Sequence, residues 1–205
     1  MMRYISLFFQ LIACFTLFSC STPGKKTPDE VVWQARVEKK SSQSVIDYIN
    51  RGGYSSQEIQ SIVQKSVEKN QCSLAYDLVK SYHIDRNLRS EYNTLFQCLV
   101  LNKNYQEALY LLKSGATPEF IRYERVYRND ALEEASAWGA IEIVRELLRL
   151  GEVPSSRAFF LGVSGSYHSE YDKSVSLLEL YRPFISKIDM NYALVNSPLL
   201  YEVAT

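Results

Sequence analysis

The stretch Gly162-Val163-Ser164-Gly165-Ser166, with His168 and Asp172 close behind it, gathers the side-chain types of a serine hydrolase. A nucleophile elbow needs glycines two residues before and two after the serine, at a turn from strand to helix. Ser166 stands where the second glycine is required and no strand pattern precedes it, so the constellation reads as part of a polar loop and no catalytic residue is assigned. His83 and His168 are the only histidines. A metal site requires further His or Cys ligands at matched spacing; neither histidine has them, so no metal or cofactor is expected. Glu133 and Glu134 are an acidic pair, but on an amphipathic helix such a pair reads as a solvated face.

Cys14 and Cys20 lie near the start, and Cys72 and Cys98 lie well inside the chain. Two readings of the inner pair stand side by side. In an exported protein they would form a disulfide, adding about 3 kcal/mol for a loop of this length in the chain-entropy model; otherwise they are two small buried residues. The run Phe120-Ile121-Arg122-Tyr123-Glu124-Arg125-Val126-Tyr127-Arg128 crowds tyrosine and arginine together. Both are enriched at binding hot spots, because each joins a large contact area to directional hydrogen bonding. Tyr123, Arg125, Tyr127 and Arg128 are the candidate protein-binding residues. Against this, Phe120, Tyr123 and Tyr127 also have the spacing of a buried helix face.

These side chains must be positioned by helices, and the clearest helical signal runs from Asn129 to Pro154. Leu132, Ala135 and Ser136 share one face of a short helix that ends at Trp138-Gly139. Ile141, Ile143, Val144, Leu147 and Leu148 mark a second helix. Gly139 and Gly151 fall just past the two helix ends, where the backbone turns left-handed and glycine avoids a Cβ clash. The stretch resembles one ankyrin repeat, with Leu132, Ala135, Ser136, Gly139, Ile143, Val144, Leu147, Leu148 and Gly151 in the consensus places. Asp130-Ala131-Leu132-Glu133 replaces the family's Thr-Pro-Leu-His.

Second-helix ends at Val45-Ile46-Tyr48-Ile49 with Gly52, Leu74-Leu78-Val79, Ala108-Leu111-Leu112 with Gly115, and Val144-Leu147-Leu148 with Gly151 recur at steps of roughly 30, 33 and 36 residues. Their mean of about 33 is the ankyrin period. First helices precede them at Val32-Trp33 with Val37, Ile62-Val63 with Val67, Leu95-Phe96 with Leu99-Val100, and Leu132 with Ala135. Lys113-Ser114-Gly115-Ala116-Thr117-Pro118 resembles the loop opening a further repeat. A fifth unit pairs Ala158-Phe159-Phe160-Leu161 with Val175-Leu177-Leu178-Leu180 across a long insertion, Gly162 to Lys173. Asn196 to Ala204 resembles the opening of an incomplete sixth. The expected fold is all-α, an ankyrin-repeat-like solenoid of helix hairpins spanning residues 31–205. In that family the connection carrying Phe120 to Arg128 is the finger that projects toward partners.

Residues 1–19 read as a signal peptide, with Arg3 followed by an apolar run too short to cross a bilayer. Leu17-Phe18-Ser19-Cys20 resembles the bacterial lipobox. By that resemblance Cys20 is the mature N-terminus and the lipidation site, and Ser21 after it implies outer-membrane delivery, facing the periplasm. Two or three chains, at about 0.8 kcal/mol per buried methylene, would anchor it stably. Residues 20–30, with two prolines and a glycine, read as a flexible tether. Matched counts of 23 acidic and 23 basic residues leave no electrostatic footprint for nucleic acid. The expected function is a lipid-anchored envelope protein that binds an unidentified protein partner without catalysis. The alternative is an immunity or inhibitor protein neutralising a toxin or hydrolase in the periplasm.

Overall fold

The computed structural model describes residues 24–121, 130–164 and 171–189. Residues 1–19, read as a signal peptide, Cys20, the candidate residues Tyr123, Arg125, Tyr127 and Arg128, His168 and residues 196–204, read as a half-unit, lie outside the described residues. Among those described, ten α-helices and one 3-10 helix make an all-α chain, and the isolated bridge between Arg89 and Thr94 is the sole extended pairing.

The first helix, α1 (Pro28–Val37), begins three residues before the expected boundary at Val31. Pro28 suits a first helical turn, where its missing N–H is no loss, and Thr27 and Glu30 cap each other's backbone. The segment before it, read as a free tether, is held in its last residues. Lys25 Nζ lies 2.7 Å from Glu58 Oε2, and the Tyr54 hydroxyl donates to the Lys26 carbonyl at 2.9 Å. Starting the helix there buries Val31, Val32 and Ala35, so Trp33 and Val37, expected inward, are exposed.

The chain continues through α2 (Ser42–Gly52), α3 (Ser56–Glu68), α4 (Cys72–Tyr82), α5 (Leu95–Leu101), α6 (Tyr105–Lys113), α7 (Ala131–Ala137), α8 (Ile141–Arg149), α9 (Ser156–Val163) and α10 (Tyr171–Tyr181), with the 3-10 turn Arg182–Lys187 behind it. Consecutive helices pair as α3 with α4, α5 with α6, α7 with α8 and α9 with α10. Odd-numbered helices stack as α1 on α3, α5 on α7 and α7 on α9, and even-numbered ones as α2 on α4, α6 on α8 and α8 on α10. Ile62, Val63, Leu95, Leu99, Ala135 and Leu147, all without exposure, belong to one continuous core. Leu148, paired with Leu147 in the sequence pattern, is only half-buried.

The turns follow a common plan. Each passage from an odd to an even helix, through α7–α8, holds one left-handed residue: Lys39, Asn70, Lys103 and Gly139, which are 31, 33 and 36 residues apart. At each, the next amide bonds the carbonyl five residues back: Lys40 to Ala35 at 3.0 Å, Gln71 to Ser66 at 2.8 Å, Asn104 to Leu99 at 2.9 Å and Ala140 to Ala135 at 2.8 Å. This is the bond that closes a helix whose last carbonyls lack partners. A second series ends the even helices at Gly53, His83, Gly115 and Gly151, which are 30, 32 and 36 residues apart. Gly53 rather than Gly52 takes that place, since Gly52 still belongs to the last turn of α2.

Between α4 and α5 the chain is cross-linked. Cys72 opens α4 and Cys98 lies in the middle of α5; the two form a disulfide with a Cα–Cα distance of 5.6 Å. Their side chains converge because the start of α4 packs on α5, so the bridge is the reading realised here.

Two further expectations change. Gly162 and Val163 do not open a long insertion but complete α9, and Tyr171 to Lys173 already belong to α10. A Cβ on Gly162 would meet Leu177 at 3.1 Å and Ser136 and Tyr181 at 3.4 Å, so this glycine permits a close helix crossing. Glu133 and Glu134, read as a solvated face, are buried. Burial requires partners: Glu133 caps α7 with Asp130 and accepts from the Ser155 hydroxyl at 2.8 Å, and Glu134 accepts from Trp138 Nε1 at 2.7 Å.

Candidate interaction surface

The candidate residues lie within 122–129, outside the described residues, between Ile121 and Asp130. On the entry side, the connection after α6 runs without helix from Ala116 to Ile121. It lies beside the connection after α4, joined to it by Asn87. The Asn87 side-chain oxygen accepts from the Thr117 amide at 2.8 Å and its hydroxyl at 3.1 Å, and Arg89 faces Glu119 at 3.6 Å. Together the two connections form a ledge along one side of the helices.

Polar side chains on the odd helices hold this ledge. Thr94, the N-cap of α5, donates its hydroxyl to the Glu119 carbonyl at 2.8 Å while accepting from the Gln97 amide at 3.0 Å. Gln97, fully buried, reads the backbone of Ile121 at both ends: its Nε2 donates to the Ile121 carbonyl at 3.2 Å and its Oε1 accepts from the Ile121 amide at 2.9 Å. Gln64, one period earlier on α3, donates to the Arg89 carbonyl at 3.5 Å. Phe120 packs edge to face on Phe96, with ring centroids 5.9 Å apart. On the exit side, the Asp130 carboxylate accepts from the Glu133 amide at 2.8 Å, fixing the start of α7. Ile121 is thereby held by α5, and Asp130 by the first turn of the helix it opens, α7.

This bears on the two readings of the stretch. Phe120 would have been the first member of a buried helical face with Tyr123 and Tyr127, but Phe120 and Ile121 are not helical and Phe120 is already spent against Phe96. Tyr123, Arg125, Tyr127 and Arg128 follow directly from this anchored strip. Arg89, Ser90, Glu91, Glu119, Phe120 and Ile121 line an open groove along it, which offers contact area and hydrogen bonds but no enclosed reaction chamber. Of the hydrolase-like residues, Ser164 caps the end of α9 and Asp172 lies in α10, while Gly165, Ser166 and His168 lie outside the described residues.

Sequence reading missed Thr94 and Gln97. A glutamine inside Leu95–Leu101, a run otherwise composed of apolar residues and cysteine, was the available signal, because a buried amide must find partners. No family model, curated protein or solved structure matches the chain.

Proposed function

We propose that this protein is a lipid-anchored component of a bacterial envelope that binds another protein through an ankyrin-like stack of helix hairpins, and that it performs no catalysis. The observation that carries the reading is the buried Gln97 clamp on Ile121, which fixes the root of the finger bearing Tyr123, Arg125, Tyr127 and Arg128. A fixed root lowers the ordering cost of binding. The solenoid reading is supported by the two series of left-handed turns at ankyrin-like steps and by Gln64 and Gln97, 33 residues apart, bonding successive connections. Stacked units of this kind present extended surfaces to proteins.

Anchoring through Cys20 rests on the Leu17-Phe18-Ser19-Cys20 match. The Cys72–Cys98 bridge favours export, since disulfides persist in oxidising compartments such as the periplasm. The test is capture of partners by the full chain from detergent-solubilised membranes. Replacing Tyr123, Arg125, Tyr127 and Arg128 with serine should lower capture at least about tenfold, a hot-spot effect, with an unchanged melting temperature. Undiminished capture by the folded variant would remove the finger from the binding surface. A palmitate analogue should label the wild type and spare Cys20→Ala; equal labelling of both would end the lipid-anchor reading.

A further inference from the structure

The stacking of even helices is interrupted once. α2 packs on α4, α6 on α8 and α8 on α10, but α4 and α6 approach less closely, with Asn104 at the start of α6 donating to Ser73 at 2.7 Å and the rings of Tyr76 and Tyr110 edge to face 6.0 Å apart. Between them lies a cleft of about 320 Å³, floored by Val79, Ile84 and Leu111 and walled by the two tyrosines. Three basic side chains line it: Lys80, His83 and Arg86. Lys80 Nζ stands 5.7 Å from the centre of the Tyr110 ring, and Arg86 donates to the Ser114 carbonyl at the far wall. No carboxylate pairs with Lys80 or Arg86 among the described residues. Asp77 and Glu107 act on the Tyr76 phenol, which burial first and then Tyr110 and these two carboxylates push above its ordinary value, and Asp85, between Ile84 and Arg86, accepts from the Asn87 amide at 2.9 Å; none of these three acids lines the cleft. The lining itself thus carries two cations, Lys80 and Arg86, and no carboxylate.

We infer that this cleft is a docking site for an acidic peptide segment of a partner protein, with its carboxylates at the Lys80–Arg86 end and its chain against Tyr76 and Tyr110. The inference rests on the protein-binding reading and gives one contact its chemistry. Charge complementarity decides the occupant: two cations with no carboxylate partner among the described residues, beside apolar and aromatic walls, suit a chain carrying both carboxylates and methylenes. A slot between two helices admits an extended chain but not the flat face of a bilayer. His83 takes the left-handed turn that ends α4 and Ile84 follows it, so the basic end belongs to the helix terminus itself. The Cys72–Cys98 bridge ties the start of α4 to α5, which in turn pairs with α6.

The probe is a fluorescein-labelled hexaglutamate peptide titrated into the full lipid-anchored chain in neutral detergent micelles at low salt, read by anisotropy. Saturable binding is expected, weakened at least about tenfold by Lys80→Glu with Arg86→Glu, and less by Lys80→Gln with Arg86→Gln. The control pair Arg51→Glu with Arg145→Glu, equal in charge change but distant, should bind as the wild type does. Absence of saturable binding, equal loss in the control pair, or binding to anionic vesicles in place of the peptide would overturn the proposal. Circular dichroism on the same samples excludes unfolding as the cause, and the glutamine pair remains informative if the reversed pair misfolds. If hexaglutamate binds as expected while the finger variant still captures its partner, the finger reading fails and the cleft stands. If capture is lost but hexaglutamate does not bind, the finger stands and the cleft fails.

Discussion

Gln97 satisfies both backbone groups of Ile121 from a position with no exposure to water. Gln97→Leu should cost about 1 kcal/mol, because it removes both hydrogen bonds from the half-buried amide and carbonyl of Ile121. Urea denaturation measures the loss, and protection of the Ile121 amide in hydrogen exchange should fall with it. Glu58 is a second test at this scale. Its hydrogen bond with Lys25, then those with the amide and hydroxyl of Ser55, hold its carboxyl down at about 2, below the ordinary 4.5. A depressed folded-state value contributes stability that is present above the unfolded value and lost as pH falls toward the folded one. The stability difference between wild type and Glu58→Gln should therefore be constant at neutral pH and shrink between about 4.5 and about 2. A difference independent of pH across that window would show that the carboxylate's charge contributes nothing. Neither partner was legible from the residues alone, since Gln97 meets Ile121 24 positions away and Glu58 meets Lys25 33 positions away.

Among the elements, the α7–α8 hairpin was readable because its signals agreed: an apolar face of helical period, then Gly139 and Gly151 where the chain must turn left-handed. The equivalent turns at Lys39, Asn70, His83 and Lys103 carried no glycine, so their place in the same two series was hidden. Trp33 misled for a different reason. The phase of a terminal helix is set by its cap, and the Thr27–Glu30 box turned Trp33 outward. These turns carry opposite predictions. Lys39→Gly should stabilise by about 0.5–1 kcal/mol, as the side chain's left-handed penalty exceeds the entropy that glycine adds to the unfolded chain. Gly151→Ala should destabilise by about 1 kcal/mol for the converse reason. Paired thermal melts check both; the same sign for the two changes would contradict the turn assignment.

For the molecule as a whole, the disulfide joins the second hairpin to the third at the one place where even helices do not stack closely. Its pairing could not be read from the sequence, because the 26-residue separation says nothing of where α4 and α5 meet. Replacing Cys72 and Cys98 together with serine should cost about 3 kcal/mol in the chain-entropy model. Because units in a stack share stability with their neighbours, the loss of hydrogen-exchange protection should be greatest in α4 and α5 and fade toward α9. Loss spread evenly over all ten helices would argue for a single undivided core.

The central claim, that the finger meets a protein partner, is tested most directly by placing a photo-crosslinker in it. The full chain with Tyr123→p-benzoylphenylalanine, irradiated in bacterial cells, should yield a discrete adduct of higher mass. The same group at Leu150, exposed at the end of α8, should not give that adduct. No adduct at position 123, or the same adduct in equal yield from both positions, would contradict the account.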